Sequence, residues 1–299
     1  MMNRSLAGLA LVFLACATAN AAQSAVGCDR ECLRSKVTQV LYALVKHDVS
    51  KLPVAPNLRV TEDADEKPLK NVGLVTTVTA LQGFRQDFID ERAGVVGAHV
   101  MAEESGAPIM LVVRLKVVND QITEMEFVPT RSRSDGLIFN LGGLKAASEM
   151  MNYAPRPEQL ATREQALKAA LKYPEGLTLA KTFADVNAPF APDAYRFENG
   201  QIMAGPDCKF QKGCENISAQ PLTIFERLGD PMTRVVAVDE RMGIVWLRLA
   251  WGVRQEGGDQ LTAFEAFKVF DGKLHAVEAF IRILPFAKRD GGWKQGLAN

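Results

Sequence analysis

The chain has 299 residues, of which 47% are hydrophobic and 23% are charged, and its 35 lysines and arginines balance its 35 aspartates and glutamates. This length is large for one hydrophobic core and typical of two domains of about 130 residues each. A formal charge of zero, without a local cluster of lysine or arginine, argues against nucleic acid as a partner. We therefore expect a globular protein with two domains and no nucleic-acid partner.

The N-terminus has the parts of a cleavable secretory signal. Arg4 precedes an apolar run over residues 6–17, and Ala19-Asn20-Ala21 has the small-x-small pattern after which signal peptidase cuts. The run holds about a dozen residues, fewer than the ~20 that a membrane-spanning helix needs. The sequence predicts a signal peptide over residues 1–21 and a mature protein, starting near Ala22, that is secreted or periplasmic and has no membrane anchor.

Two close pairs of cysteines remain after cleavage, Cys28 with Cys32 and Cys208 with Cys214. In an exported chain such pairs most often form disulfides, although four cysteines allow three connectivities. A zinc site is the alternative, but the histidines lie far from these cysteines in the sequence and show no ligand spacing. We predict two local disulfides, no metal site and no cofactor.

The first half of the mature chain predicts helices followed by strands. An amphipathic helix starts at Asp29, and Asp48 and Ser50 have the side-chain oxygens that would cap a short second helix ending at Pro53. Asn119-Asp120-Gln121 predicts the tight turn of an antiparallel hairpin. The predicted strands cover residues 58–62, 95–102, 109–118 and 122–128. Helices followed by an antiparallel meander indicate an α+β domain.

The second half repeats this order. Thr162 and Gln165 form a capping-box pattern at the start of a helix that we expect to break at Pro174, and a further helical segment is predicted over residues 177–183. Asp271-Gly272 is a strong turn signal for a final hairpin. The predicted strands before this hairpin cover residues 234–238, 244–253 and 261–270.

The two halves also align by residue type. Residues 189–198 echo residues 53–62 with one inserted residue, and residues 116–122 match residues 268–274 without a gap. Duplication of one domain is the economical explanation. The predicted division is a signal peptide over 1–21, a first domain over 22–130, a connector over 131–158, a second domain over 159–290 and a tail over 291–299.

The repeated pattern carries a family resemblance. A helix ending in an acidic residue, a short helix, a strand ending in glutamate and a meander ending in Asp-Gly-Lys-Leu-x-x-Val-Glu resemble the SnoaL-like members of the nuclear transport factor two-like superfamily. More narrowly, residues 28–33, 43–48 and 235–243 are similar to a family of secreted bacterial and fungal proteins of undefined function.

The resemblance implies two tandem cone-shaped domains, each with helices packed on a curved antiparallel sheet around an apolar cavity. Members of the superfamily include isomerases, dehydratases, cyclases and lyases that act on hydrophobic small molecules, and also binding modules without catalytic activity. Because one fold hosts all of these, the resemblance does not select a function.

Three residues are candidate acids or bases, namely His99, Glu198 and Glu278. Proton transfer in a pocket requires a titratable group whose pKa is shifted by burial, beside a second polar group. The alternative is structural, since Glu198 shares a strand face with Arg196 and could form a solvated ion pair, and Glu278 is equivalent to Glu126 in the first half. For His99 the alternative, which is the more common case, is a surface or interface histidine.

Four residues are candidate ligand contacts, namely Tyr42, Arg196, Trp246 and Trp251. Tyr42 lies off the apolar stripe of the first helix, at the mouth of a cavity or beside it. Trp246 and Trp251 lie on opposite faces of one strand, so only one of them can face a given cavity.

Arg114 interrupts a strand that is apolar on both faces. A sheet that is apolar on both faces requires cover on both. We therefore expect the Arg114 face to pack against the other domain or against a second copy of the chain in a homodimer.

Three functions follow from these observations. The leading hypothesis is an exported protein that binds a hydrophobic or aromatic small molecule in a cone-shaped cavity. The alternatives are a cofactor-free acid/base enzyme, such as an isomerase, dehydratase or lyase, and a structural module for assembly. An enzyme requires a histidine, aspartate or glutamate deep in a cavity beside a second polar group, whereas a structural module requires no sizeable cavity.

Overall fold

A computed structural model describes residues 27–222, 230–252 and 258–293. The signal peptide predicted over residues 1–21 and the end of the strand predicted to reach Val253 lie outside the described residues. We call residues 27–130 the first half, residues 131–158 the connector and residues 159–293 the second half.

Each half combines one long helix with a six-stranded sheet, in the described residues. The helices are α1 Arg30–Val45, α2 Leu74–Thr77, α3 Arg133–Gly136, α4 Glu149–Asn152 and α5 Arg163–Leu179. The strands are β1 Val54–Glu62, β2 Asp65–Glu66, β3 Val78–Asp90, β4 Val95–Glu104, β5 Ala107–Val118, β6 Gln121–Thr130, β7 Phe190–Glu198, β8 Gln201–Ala204, β9 Met232–Asp239, β10 Ile244–Gly252, β11 Asp259–Phe270 and β12 Lys273–Pro285. Short 3-10 turns lie at Leu69–Asn71, Leu141–Gly143, Pro157–Gln159, Phe183–Val186, Ile217–Ala219 and Phe286–Lys288. The predicted α+β class and the tandem arrangement of two sheet-rich domains are confirmed.

The two sheets have the same strand order. The first is β2-β1-β6-β5-β4-β3 and the second is β8-β7-β12-β11-β10-β9. Four strands in each form an antiparallel meander, of which β3 was not predicted. The first long strand, β1 or β7, pairs in parallel with the last, β6 or β12. The sheets are therefore mixed and not purely antiparallel. The whole meander separates the two parallel strands in sequence, which provides the long connection that a parallel pair needs.

The pairing registers show that the duplicated strands align without an insertion. Val54 lies opposite Ile122 in the first sheet, and Phe190 lies opposite Leu274 in the second, with a register shift immediately afterwards in both. The single inserted residue expected between residues 53–62 and 189–198 is therefore not required.

Two helical segments differ from their predictions. Residues 48–53 form turns and not a helix, because His47 adopts a left-handed φ of 54° and the Asp48 side chain accepts a hydrogen bond from the Ser50 amide. The helix α5 continues through Pro174 to Leu179 instead of ending there. Proline costs one helical hydrogen bond, and here the burial of residues on both sides of it, Ala170 and Leu177, holds the helix on the sheet.

The strand β3 has no counterpart in the sequence prediction. It is an edge strand whose pairing with β4 shifts register between Leu81 and Arg85, so its side chains do not alternate regularly between faces. Regular alternation is the signal on which strand prediction rests. The irregular register therefore explains why the strand was missed.

The hydrophobic residues form three layers. One packs α1 on the first sheet, one packs α5 on the second sheet, and one lies between the two sheets, where we call it the interface. Met110 and Val112, which share a face with Arg114, belong to the interface. Trp246 of the second sheet lies over Gly97 of the first, where even a methyl group would approach the indole ring to 2.3 Å. The two sheets are thus packed face to face within one chain.

Ion pairs tie the start of each long helix to the opposite half. Arg30, at the start of α1, pairs with Asp239 at the end of β9 at 2.8 Å. Arg163, at the start of α5, pairs with Asp90 at the end of β3 at 2.7 Å. Both aspartates are buried. The contacts are reciprocal, as in the interface of a twofold dimer.

The connector is part of the packed structure. Leu144 and Met151 are buried in the interface. Asn199 at the end of β7 donates to the carbonyl oxygens of Gly136 and Ile138, at 3.2 and 3.0 Å, and to that of Ile281 at 3.0 Å. These bonds hold the connector against the second sheet.

Both predicted local disulfides are present, Cys28–Cys32 and Cys208–Cys214, with Cα–Cα distances of 5.3 and 5.7 Å. The first lies at the start of α1, and the second closes the loop after β8. In the part of the chain that the structure describes, no helix is both long and apolar enough to span a membrane.

Candidate functional site

A cavity of about 290 Å³ lies in the second half. It is bounded by α5, the strands β7 and β11, the loop after β8 and the connector. The apolar residues that line it include Leu137, Ile138, Met203, Phe210, Trp251 and Ile281. Leu137 and Phe210 are 53% and 52% exposed, so they mark the mouth of the cavity.

Four polar side chains form what we call the polar floor of this cavity, namely Tyr173, Arg196, Glu198 and Glu265. Arg196 Nε lies 2.9 Å from Glu198 Oε1, and Arg196 Nη1 donates to the Tyr173 hydroxyl at 3.3 Å. Arg196 and Glu198 face the cavity together because they are two positions apart on β7. Tyr173, Arg196 and Glu265 are each at most 5% exposed, so these polar groups are removed from bulk water.

The carboxyl group of Glu265 is poised to donate a proton. Burial, and next the negative charge of Glu198, raise the pKa of Glu265 to about 8, while Arg196 opposes the shift. Glu265 is therefore mainly protonated at neutral pH. Its Oε2 is buried and has no hydrogen-bond partner among the described residues. A buried oxygen without a partner at the wall of a cavity is available to a ligand.

Tyr173 offers a second donor. Burial raises the pKa of its phenol well above the ordinary value, against the opposing charge of Arg196. The phenol oxygen accepts the hydrogen bond from Arg196, and within residues 27–222, 230–252 and 258–293 no acceptor is bonded to its proton. The polar floor thus presents two O–H donors in a setting shielded from solvent.

The first half has apolar residues where the second half has the polar floor. The matching registers of the two sheets pair Arg196 with Val60 and Glu265 with Val113. Counting from the first residues of α1 and α5 pairs Tyr173 with Val40. All three valines are buried in the core of the first half.

The fourth member of the polar floor also differs between the halves. Glu198 corresponds in register to Glu62. Glu62 pairs with Lys67 at 2.8 Å and accepts from the amides of Gly73 and Leu74, at 2.9 and 3.0 Å. It therefore holds α2 in place, and Leu74 of α2 is fully buried in the core of the first half. The equivalent glutamate is structural in the first half and lines a cavity in the second.

The structure brings together three of the seven candidate residues. Arg196, Glu198 and Trp251 line the cavity. His99, Glu278 and Trp246 lie elsewhere, buried between the sheets or at their margin. Tyr42 is 53% exposed on α1 in the first half and does not line this cavity.

His99 is enclosed by aromatic rings. It stacks on Phe280 at 4.5 Å between ring centroids, and Trp246 Nε1 donates to its Nε2 at 3.3 Å. Burial lowers the pKa of His99 to about 3. The imidazole of His99 is therefore neutral, lies in an aromatic layer and does not line the cavity.

Glu278 is buried beside the connector. The Tyr195 hydroxyl donates to its Oε1 at 2.6 Å, and Tyr195 also contacts Ser148 at 3.2 Å. Burial raises the pKa of Glu278, and hydrogen bonds from Ser148 and Tyr195 partly offset this effect. These contacts join β12 and β7 to the start of α4 and place Glu278 outside the cavity.

The sequence analysis missed Tyr173 and Glu265. Glu265 interrupts the apolar run of β11, between Phe264 and Ala266, in the way that Arg114 interrupts β5. A charged residue within an apolar strand is a signal that could have identified it. Tyr173 lies within the apolar stripe of α5, where a phenol has no distinguishing pattern.

One group of three potential metal ligands lies close together in the described residues, namely Cys28, Cys32 and Asp120. The two sulfur atoms are bonded to each other in a disulfide. Asp120 is the remaining ligand of this group and is paired with Lys36 at 2.7 Å. The group therefore does not fit a metal ion.

Comparison with known proteins gives one family model, for part of the chain, and a weak similarity to a designed protein. Residues 159–281 match the model of a family described as a domain of unknown function (DUF8021). No curated protein matches the chain. A crystal structure of a de novo designed protein with a curved β-sheet is similar over 34% of this chain and 88% of that chain, with 19% identity and a TM-score of 0.29. The resemblance to SnoaL-like proteins receives no support from these matches, and the second half of the chain is what resembles DUF8021.

Proposed function

We propose that the cavity in the second half binds a small, largely apolar molecule through one oxygen-bearing group. The observation that carries this proposal is the difference between the two halves of the duplicated fold. A packed core needs no buried Tyr173, Arg196 or Glu265, because the first half is built with valine at the same positions. Burying polar groups without partners costs about 1–3 kcal/mol each, so their retention in one half alone favours a ligand site over a structural role.

The hydrogen-bond donors of the polar floor determine which polar group the ligand must have. Glu265 and Tyr173 both present O–H donors, and Arg196 is already engaged with Glu198 and Tyr173. A carbonyl or carboxylate oxygen accepts hydrogen bonds from such donors. The apolar wall, with Trp251 and Phe210, suits a ring or a short hydrocarbon body. The cavity volume is at the small end of the usual range of about 300–1,000 Å³.

We also propose that this site operates outside the cytoplasm, in a cone-shaped domain of the SnoaL-like type. The N-terminal residues have the pattern of a secretory signal. The two disulfides are compatible with an oxidising compartment. Together these features support a secreted or periplasmic protein.

Native mass spectrometry of the full chain purified from its own host tests the proposal. We expect the wild-type protein to carry an additional mass of a small molecule, and Glu265→Val to reduce its occupancy at least tenfold, because valine, the residue at the equivalent position of the first half, has no hydrogen-bonding group in its side chain. Glu265→Gln keeps an N–H donor at this position and should retain more of the bound molecule than Glu265→Val. Glu278→Val is the matched control, since it changes a buried glutamate of raised pKa outside the cavity. Equal occupancy in Glu265→Val and wild type would overturn the proposal.

A second candidate function is proton transfer without a cofactor. It is favoured by the pKa of Glu265, which lies near 8 and so suits a group that both takes up and releases a proton near neutral pH. On this hypothesis the bound molecule exchanges a C–H proton with D2O in the presence of the wild-type protein and not with Glu265→Gln. If the molecule binds but does not exchange its proton, the proposed binding function stands and proton transfer is excluded.

A further inference from the structure

Three arginines lie at one end of the interface, namely Arg114 on β5, Arg234 on β9 and Arg248 on β10. Arg234 and Arg248 are buried, and the Arg114 side chain is 12% exposed. Arg248 lies directly opposite Arg234 in the second sheet, and Arg114 lies directly opposite Glu126 in the first. Arg234 Nη2 bridges the two sheets to Glu126 at 2.7 Å. We call these four residues the arginine cluster.

The arginine cluster has more positive than negative charge. Glu126 is its one buried carboxylate and pairs with Arg234, whereas Arg114 pairs with the partly exposed Glu124 at 2.7 Å. Among the residues that the structure describes, no carboxylate lies within ion-pair distance of Arg248, which donates to the Arg289 carbonyl at 2.7 Å and to Thr262 at 3.3 Å. Burial, and next the positive charge of Arg234, lower the pKa of Arg248 to about 10.

Several guanidinium donors in the cluster have no partner. Arg234 Nε and Nη1 and Arg114 Nη1 are buried and make no hydrogen bond to any described residue. The side chain of Arg234 is 7% exposed, so bulk water does not satisfy these donors. Buried donors without partners require an explanation such as an ion or ordered water.

The other half supplies no such cluster at the equivalent end of the interface. The registers pair Arg114 with Ala266 and Arg248 with His99, and His99 lies in a layer of stacked aromatic rings. A duplicated interface is therefore aromatic at one end and cationic at the other. Packing alone does not require the cationic end.

The last described residues cover the cluster. The Trp293 ring lies 4.3 Å from Arg59 and 5.2 Å from Arg114, and its Nε1 donates to Thr61 at 3.0 Å. Trp293 is itself buried. A ligand held beneath this cover must be small.

We propose that the arginine cluster binds one small oxyanion, of the phosphate, sulfate or carboxylate class, between Arg114 and Arg234. Guanidinium groups form charge-assisted hydrogen bonds to such anions. The anion adds negative charge beside the three arginines and accepts from Arg114 Nη1 and from one of the two Arg234 nitrogens without a partner, Nε or Nη1, which lie on opposite edges of the guanidinium plane. This site is independent of the cavity in the second half.

Equilibrium dialysis of the full chain against radiolabelled phosphate, sulfate and acetate tests the site. We expect saturable binding of one anion per chain, weakened at least tenfold in Arg114→Gln. We expect Glu126→Gln to strengthen binding several-fold, because it removes the buried carboxylate that competes with the anion. A structural cluster without an anion site would show neither change.

Arg30→Gln is the matched control, because the Arg30 side chain is 12% exposed, as that of Arg114 is, and lies between the halves but outside the cluster. It should bind the anion as the wild type does. The inference is overturned if none of the three anions binds saturably, if Arg114→Gln binds as tightly as wild type, or if Glu126→Gln weakens binding. A crystal structure grown in phosphate that shows only water at these donors would also overturn it.

Discussion

Burial shifts the pKa values of Glu265 and His99 in opposite directions, and each shift favours the neutral form of the side chain. The pKa of Glu265 rises to about 8 and that of His99 falls to about 3. Both side chains are therefore mainly neutral near pH 7. Their surroundings nevertheless differ. Glu265 lies at a cavity wall beside Arg196 and Glu198, whereas His99 is enclosed by rings. A neutral side chain therefore indicates a candidate site in one case and a packed core in the other.

The raised pKa of Glu265 predicts a pH dependence of stability. An acid whose pKa is higher in the folded state stabilises the protein fully below its unfolded-state pKa of about 4.5, and this contribution is lost as the pH rises toward 8. We expect the free energy of unfolding to fall between pH 5 and pH 8 by a few kcal/mol more in wild type than in Glu265→Gln. Urea denaturation at both pH values measures the difference.

Glu215→Gln serves as the control for this measurement, because Glu215 is exposed. It should follow the wild-type profile between pH 5 and pH 8. If Glu265→Gln followed it as well, the carboxyl group of Glu265 would be ionised in the folded protein, and its role as a donor would be excluded.

Among the elements, α5 shows how local and tertiary effects combine. The Thr162 hydroxyl accepts from the Gln165 amide at 3.2 Å, and Gln165 accepts from the Thr162 amide at 3.0 Å, so the predicted capping box is confirmed. The end of the helix is not local, because burial carries it past Pro174.

Removing the cap of α5 should destabilise the protein modestly. We expect Thr162→Ala to lower the free energy of unfolding by about 1 kcal/mol, since the amide of Gln165 loses its acceptor. Thr162→Ser retains the hydroxyl and should remain close to wild type in the same denaturant titration. Equal losses in both variants would show that the methyl group and not the cap stabilises this helix.

Most strands could be predicted from the alternation of apolar and polar residues, but the edge strand β3 and the order of the strands in the sheet could not. The hairpin strands β5, β6, β11 and β12 carry clear patterns and turn signals. The edge strand β3 was missed because its register shifts, and the parallel pairing of β1 with β6 was missed because residues far apart in the sequence decide it. Periodicity reports which face a residue is on, and not which strand lies beside it.

The whole molecule is organised as two copies of one domain that face each other. Asp90 accepts from the Val238 amide at 2.8 Å, and Asp239 accepts from the Ile89 amide at 3.1 Å, in addition to the ion pairs with Arg163 and Arg30. The repeated sequence Asp-Glu-Arg at residues 90–92 and 239–241 is the signal that could have identified these contacts. Packing of the sheets within one chain accounts for the apolar face around Arg114, while a homodimer remains a prediction.

The reciprocal ion pairs predict coupling across the interface. In a double-mutant cycle of Arg30→Met and Asp239→Asn, we expect a coupling free energy of about 1–3 kcal/mol, because both groups are largely buried and bonded. The cycle of Arg163→Met and Asp90→Asn should give a similar value. Denaturant unfolding of the full chain measures both.

The exposed pair of Arg92 with Glu240, at 3.2 Å across the same interface, is the control. Its coupling should be at most about 1 kcal/mol, as for most solvated pairs. Coupling near zero in the buried cycles would show that the two halves are joined by apolar packing alone.

The sequence by itself determined the α+β class, the duplication, the two local disulfides and the presence of Arg196 and Glu198 on one strand face. These features depend on residue type and on short-range spacing, which a single chain displays directly. Tertiary structure decided which faces are covered. Val60 and Arg196 occupy equivalent strand positions, yet one lies in a filled core and the other lines a cavity. The reason is that α2 packs into the core of the first half, while the connector and a disulfide-closed loop border the cavity of the second half. The local sequence shows neither of these packing arrangements, because each depends on where segments that are distant in the sequence pack.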